Sequence, residues 1–179
     1  TSLFTGTERY ITKLIITVDN GIVCHEEIAL ARELGMSVVV TDHHLPSDTL
    51  PDANAVVDPH RKDCNSSFKD ICGAEVVFRL ICVLENKEPE ELLPYFADIL
   101  SLAVVADIMP LTLENRSIVK FGIGKIKSSP LTGVSALANV SGIEIDSINA
   151  SRIAFTLCPR INAAGRMGRA ERAVELLTT

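Results

Sequence analysis

Two short apolar runs limit most sharply what this chain can fold into: LIITV at residues 14–18, followed by Asp19, and VVVT at residues 38–41, followed by Asp42, His43 and His44. Each is rich in β-branched residues and stops abruptly at charged ones, the pattern of a buried parallel strand that delivers side chains at its carboxyl end. Between them residues 26–34, EEIALAREL, place Ile28, Ala31 and Leu34 at helical spacing, with Gly35 just past the last periodic position. Strand, helix, strand is a βαβ unit. Ligands of open parallel sheets collect outside the carboxyl ends of the strands, so Asp19 and the Asp42-His43-His44 triplet are predicted to meet at one crevice.

The remaining elements follow in order. Residues 55–57, Ala-Val-Val, read as a third short strand closed by Asp58-Pro59, after a turn-rich segment carrying Pro46 and Pro51. A largely apolar helix is predicted over residues 73–85. Pro89 then opens a further helix that runs through an apolar stretch, residues 92–106, to Asp107. A carboxylate directly after LSLAVVA is either a helix-end group turned to water or a buried group with a partner, because unpaired burial costs several kcal/mol. Beyond Pro110 the β-branched runs cease. Segments 114–127, 131–140, 147–157 and 169–177 read as short helices, the last two separated by the stretch 159–168. The predicted class is α/β, a parallel sheet with flanking helices followed by a helical extension, divided into a core at residues 1–110 and the extension at 111–179.

Composition narrows the function classes. With 179 residues and 47% hydrophobic content, the chain is long and apolar enough for a packed core without staples. Five cysteines in no metal-ligand spacing, an odd count, read as reduced and mostly buried thiols of a cytoplasmic protein. No apolar run reaches the ~18 residues of a membrane span. The net charge of −6 argues against a generally basic nucleic-acid surface, though not against a local basic patch. Gly122-Ile123-Gly124-Lys125 fails as a phosphate loop, since no Ser or Thr follows the lysine, and no serine nucleophile elbow is present.

Two carboxylates and two imidazoles at neighbouring strand ends point to a metal. Mixed carboxylate and imidazole donors suit Mn²⁺, Zn²⁺ or Fe²⁺, and the absence of clustered thiolates argues against structural zinc. Carboxylate-rich sites holding two ions suit phosphoryl transfer, in which both ions stabilise the oxygens of an in-line displacement.

At this point the residues carry a family resemblance. TVDNGI at 17–22, VTDHHLP at 40–46, VADIMPL at 105–111 with ENR at 114–116, and PRINAAGRMG at 159–168 together resemble the DHH phosphoesterases, and within them the RecJ-type single-strand-specific 5′→3′ DNA exonucleases of repair and recombination. The resemblance implies a Mn²⁺- or Mg²⁺-dependent hydrolase of phosphodiester bonds, with single-stranded DNA bearing a 5′ end as substrate and no membrane partner. It assigns Asp19 as the carboxylate shared by two ions, and His43 as a ligand of one of them. His44 would contact metal or substrate phosphate, Asp42 would orient the pair, and Asp107 would be a further metal ligand. Arg160, Asn162 and Arg166 match the segment facing the nucleic acid. The family's first motif, an Asp-x-Asp pair, and its distal glycine-rich domain have no counterpart here. The chain therefore reads as part of a longer protein, keeping at most one weak Mn²⁺ site and impaired by itself. Two rival readings remain: a DHH phosphoesterase of short oligoribonucleotides or cyclic dinucleotides, and a DHH-type domain used only for binding or assembly. The presence of Asp19, His43 and Asp107 counts against the second.

Overall fold

The computed structural model describes residues 12–179, so the aperiodic start of the chain lies outside the described residues. The chain divides into two compact units, with the break between Ser66 and Ser67. The division expected near residue 110 falls inside the second unit. Its physical reason is that α3 (Pro89–Ala106) and α4 (Leu113–Ser128), on either side of that point, pack along each other.

The first unit is a βαβ unit with a third strand added. β1 (Leu14–Val18), β2 (Ser37–Thr41) and β3 (Ala55–Val57) form a parallel sheet in the order β1-β2-β3. Val18, Thr41 and Val57 stand opposite one another in the last register row. The residues that follow them are Asp19, Asp42 and Asp58, so each strand ends in an aspartate at the same edge. α1 (His25–Glu33) covers one face, burying Ile28 and Ala31 against Val38 and Val40; a fully buried aliphatic side chain contributes roughly 1.5–3 kcal/mol. β2 is buried as expected, whereas β1 is not buried on both faces: Leu14, Ile16 and Val18 alternate outward and remain about half exposed.

The second unit is helical. α2 (Gly73–Glu85), α3 and α4 close around Phe78, Cys82, Leu92, Leu100, Val104, Ile118 and Val119. Gly122 lets α4 approach α3, since a Cβ there would collide with the Ala97 carbonyl and with Ser101. α5 (Thr132–Val140) and the C-terminal helices build a second cluster around Ile126, Val134, Ile148, Ile153 and Leu157.

The stretch 159–168, expected to separate two helices, is itself helical. α6 (Ala150–Arg152) runs through a π-helical turn, Ile153–Leu157, into α7 (Cys158–Arg166). Pro159 stands two residues after the π-helical turn, where the backbone pairing shifts register, and the helix winds on through it. α8 (Ala170–Thr178) follows after Gly168, which takes a left-handed φ of 70°. All five cysteines are free thiols; Cys72, Cys82 and Cys158 are buried, and Cys24 and Cys64 are partly so. Burial pushes the Cys72 thiol up to about 12 and Cys158 up to about 11, which keeps both protonated and inert. Among the described residues no helix is long and apolar enough to cross a membrane.

Candidate metal centre

The carboxyl edge of the sheet is shaped by one buried carboxylate. Asp42, 1% exposed, follows β2, and its Oδ1 accepts from the backbone N–H groups of His43 at 2.8 Å and His44 at 3.2 Å, and lies 2.7 Å from His44 Nδ1. Its Oδ2 accepts from Ile22 N–H at 2.9 Å, which ties the loop after β1 to the end of β2. Burial alone raises the Asp42 carboxyl, but these donors outweigh it and hold the group below the usual carboxylate range. Asp42 is therefore an anion with its lone pairs spent on orientation.

That orientation has a chemical consequence. His44 Nδ1 faces the Asp42 carboxylate, so a neutral ring with its proton on Nδ1 offers Nε2 as the ligand atom, the carboxylate–imidazole arrangement that fixes the tautomer of metal-ligating histidines. His43 is buried, and its Nε2 lies 3.0 Å from Asp19 Oδ1. Asp19 follows β1 with φ 57°, a left-handed conformation that aspartate adopts more readily than most non-glycine residues. The loop beyond it is set by Asn20, whose Oδ1 accepts from Gly21 N–H at 2.7 Å, and by Gly21 at φ 112°. A side chain at Gly21 would strike Thr17 Oγ1. Asp19, His43 and His44 each offer one ligand atom, all within 4.8 Å of one another. One carboxylate oxygen and two imidazole nitrogens fit Mn²⁺ better than Mg²⁺, which prefers an oxygen shell.

Asp58 is a third aspartate at this edge, beyond the predicted site residues. It ends β3 in the same row as Asp19 and Asp42, is 4% exposed, and accepts from His60 N–H at 2.7 Å. Burial pushes its carboxyl up, and the nearby Asp42 charge adds to that. The signal was available, since Asp58 closes a third β-branched run as Asp19 and Asp42 close the others.

The remaining predicted residues belong to the second unit. Asp107 follows the last turn of α3 as its C-terminal cap and is exposed. Arg160, Asn162 and Arg166 are all exposed on α7. At ~100° per residue Asn162 and Arg166 share a face, one turn apart, whereas Arg160 points roughly opposite. The Arg160 guanidinium donates to the Thr156 carbonyl at 2.8 Å.

Comparison with known proteins agrees with the sheet-edge geometry. The family model for the DHH family, N-terminal domain, matches residues 3–104. Over 164 residues the chain is 40% identical to the single-stranded-DNA-specific exonuclease RecJ of Bacillus subtilis (strain 168), a match covering 92% of this chain and 20% of that protein. Over 177 residues it is 39% identical to RecJ of Escherichia coli (strain K12), covering 92% and 31% respectively. A crystal structure of RecJ in complex with Mn²⁺ from Thermus thermophilus superposes with a TM-score of 0.77 at 38% identity, covering 93% of this chain and 25% of that one. The chain thus spans between a fifth and a third of the length of the curated relatives it matches. With residues 3–104 matched by the family model and a parallel sheet that ends in TDHH, the chain belongs to the DHH family.

Proposed function

We propose that this chain is the catalytic-core portion of a metal-dependent phosphodiesterase, a 5′→3′ single-stranded DNA exonuclease of RecJ type working in the cytoplasm. The observation that carries the reading is the donor group of Asp19, His43 and His44 at the strand ends, with Asp42 behind it as orienting anion. Residues 1–110 form the metal-binding part, and residues 111–179 the helical extension that meets the nucleic acid. Asp107 is assigned as a further ligand by its match to the family's fourth motif.

When bound, Mn²⁺ or Mg²⁺ supplies the positive charge that polarises a phosphodiester and stabilises its attacking and leaving oxygens. The chain's own residues do the rest. Asp42 holds His44 in the tautomer with an unprotonated Nε2 and fixes the backbone of His43. Asp19, directed by its left-handed backbone, provides an anionic oxygen to the same position. Arg166, with Asn162 beside it, presents donors suited to a phosphate backbone, and the exposed Gly165 leaves room for close approach.

The test is a titration of the chain with Mn²⁺, followed by an assay on 5′-phosphorylated single-stranded DNA alongside short oligoribonucleotides. Binding of one Mn²⁺ that is abolished by His43→Ala, with DNA the better substrate of the family-length protein, is the expected result. Mn²⁺ binding indifferent to His43→Ala removes the site assignment. Preference for the oligoribonucleotide moves the protein to the small-substrate branch of the family.

A further inference from the structure

On a chain of net charge −6, α4 is a basic exception. It carries Arg116, Lys120, Lys125 and Lys127 against a single acid, Glu114. Two of these charges are already engaged: Glu114 pairs with Arg79, and the Lys125 ammonium donates to Asp98 Oδ1 at 3.2 Å and to the Tyr95 carbonyl at 3.0 Å. Arg116, Lys120 and Lys127 are exposed, and among the described residues none of them makes an ion pair. At ~100° per residue the three fall within about 40° of one another around the helix, and a rise of ~1.5 Å per residue spreads them along about 16 Å. They form one ridge of positive charge.

A groove lies beside that ridge, within the same unit. Leu93 and Pro94 of α3 line it together with Ser117, Phe121 and Gly124 of α4, and it encloses about 690 Å³. Lys120 belongs to both ridge and groove. Phe121 is 47% exposed, and a Cβ built on Gly124 would meet open space, so the groove is accessible along the middle of α4. A merely solvated helix face needs the charges but not the aromatic ring. Spaced cations beside an open aromatic face are the two elements by which single-stranded nucleic acid is held: the backbone phosphates meet the cations, and an unstacked base lies on the ring. A duplex would engage the cations alone, because its base faces are already stacked on one another.

We infer that α4 is a contact surface for single-stranded nucleic acid: Arg116, Lys120 and Lys127 pair with backbone phosphates, and Phe121 stacks a base in the groove between α3 and α4. The inference rests on the reading of the chain as part of a protein that acts on single strands. It stands on residues of the second unit alone and makes no use of the metal centre.

The experiment measures binding of a fluorescein-labelled oligothymidylate to the chain by anisotropy over a salt series, in EDTA so that the metal centre takes no part. Arg116→Gln, Lys120→Gln and Lys127→Gln are each expected to reduce the magnitude of the salt slope by about 0.7. Phe121→Ala and Phe121→Leu are expected to weaken binding about ten-fold with the slope unchanged, while their affinity for an abasic strand of the same length stays at the wild-type value. Phe121→Leu keeps the apolar bulk and carries the stacking test should the alanine variant not fold. Lys87→Gln makes the same charge change at an exposed lysine outside α4 and keeps the wild-type slope. No binding of oligothymidylate by the wild-type chain at low salt overturns the inference outright. Slopes of the ridge variants equal to that of Lys87→Gln overturn the phosphate contacts, and Phe121 variants that lose the abasic strand as strongly as oligothymidylate overturn the stacking. Displacement of the strand by polyglutamate as effectively as by unlabelled oligothymidylate assigns the surface to an acidic protein instead. Failure of the underlying reading looks different: the family-length protein then cleaves short oligoribonucleotides alone, while the ridge and Phe121 variants still lose their contacts to the strand.

Discussion

Replacing Asp42 by asparagine tests the arrangement of the sheet edge most directly, because the side chain keeps its shape and loses one acceptor oxygen and the charge. Oδ1 serves three donors, the N–H groups of His43 and His44 and the His44 ring, so the amide oxygen of the variant takes that side. The amide nitrogen then faces the N–H of Ile22, whose residue is fully buried. Losing a hydrogen bond to a charged acceptor there costs roughly 1.5–3 kcal/mol, and the three bonds kept at Oδ1 weaken as they lose charge assistance. A total near ~3 kcal/mol is expected, a large share of the ~5–15 kcal/mol of an ordinary domain yet compatible with folding. In urea, with a slope of about 2 kcal/mol/M, the midpoint falls by roughly 1–2 M. The pH dependence has a definite sign. The Asp42 carboxyl is lowered in the folded state, so its stabilisation is complete above the unfolded value near ~3.9 and disappears as pH falls from there through the folded value. The gap between wild type and variant is therefore widest at neutral pH and closes in acid. A variant within ~0.5 kcal/mol of wild type at pH 7, the range of ordinary surface substitutions, refutes the network.

Asp58 carries the opposite sign: its carboxyl is raised in the folded state, so its contribution is most favourable in acid and is lost as pH rises through the folded value. Asp58→Asn, which still accepts from His60 N–H, is expected to gain stability over wild type with increasing pH, measured as melting temperature across a pH series. Arg166→Ala in the family-length protein should reduce the salt slope of single-strand binding by about 0.7 per lost phosphate contact, and Arg160→Ala by less, since Arg160 faces away from Asn162 and Arg166. Equal effects would place both arginines on the nucleic acid. Gly122→Ala forces a methyl group into the Ala97 carbonyl and Ser101, so a loss of roughly 1–3 kcal/mol in urea unfolding is expected, with unchanged Mn²⁺ affinity.

The positions of strands and helices were readable because periodicity reports burial, and burial decides most elements. β1, β2 and β3 lie at the residues marked by the β-branched runs, and α2 spans the predicted apolar helix. Helix termini and composition serve less well where a residue type admits two outcomes. Pro159 reads as a breaker in sequence, yet it follows a π-helical turn inside a continuous winding from Ala150, a local register shift that the residue types do not announce. Apolar alternation likewise could not tell that β1 leaves one face half exposed, because burial of a strand depends on what lies over it.

The finer geometry of the site was hidden for a different reason. A sequence displays which donors exist, not how the backbone aims them, and here the aiming is done by conformations that the residue types disfavour. Asp19 and Ile108 would both be assigned ordinary negative φ on propensity, yet both are left-handed. Each is held there by a buried polar side chain from outside its own turn, Asp42 through Ile22 N–H in one case and Asn115 through the Pro110 carbonyl in the other. Neither holding residue is conspicuous by pattern. Asp42 looks like one more ligand beside two histidines, and Asn115 like a solvated residue at a helix start. Both are polar yet buried to within 1%, and both spend their hydrogen bonds on backbone atoms of the loop they adjoin. A buried polar group whose partners are backbone atoms of a strained loop carries structural information about that loop, and the loop that Asp42 ties down begins at Asp19, a member of the donor group.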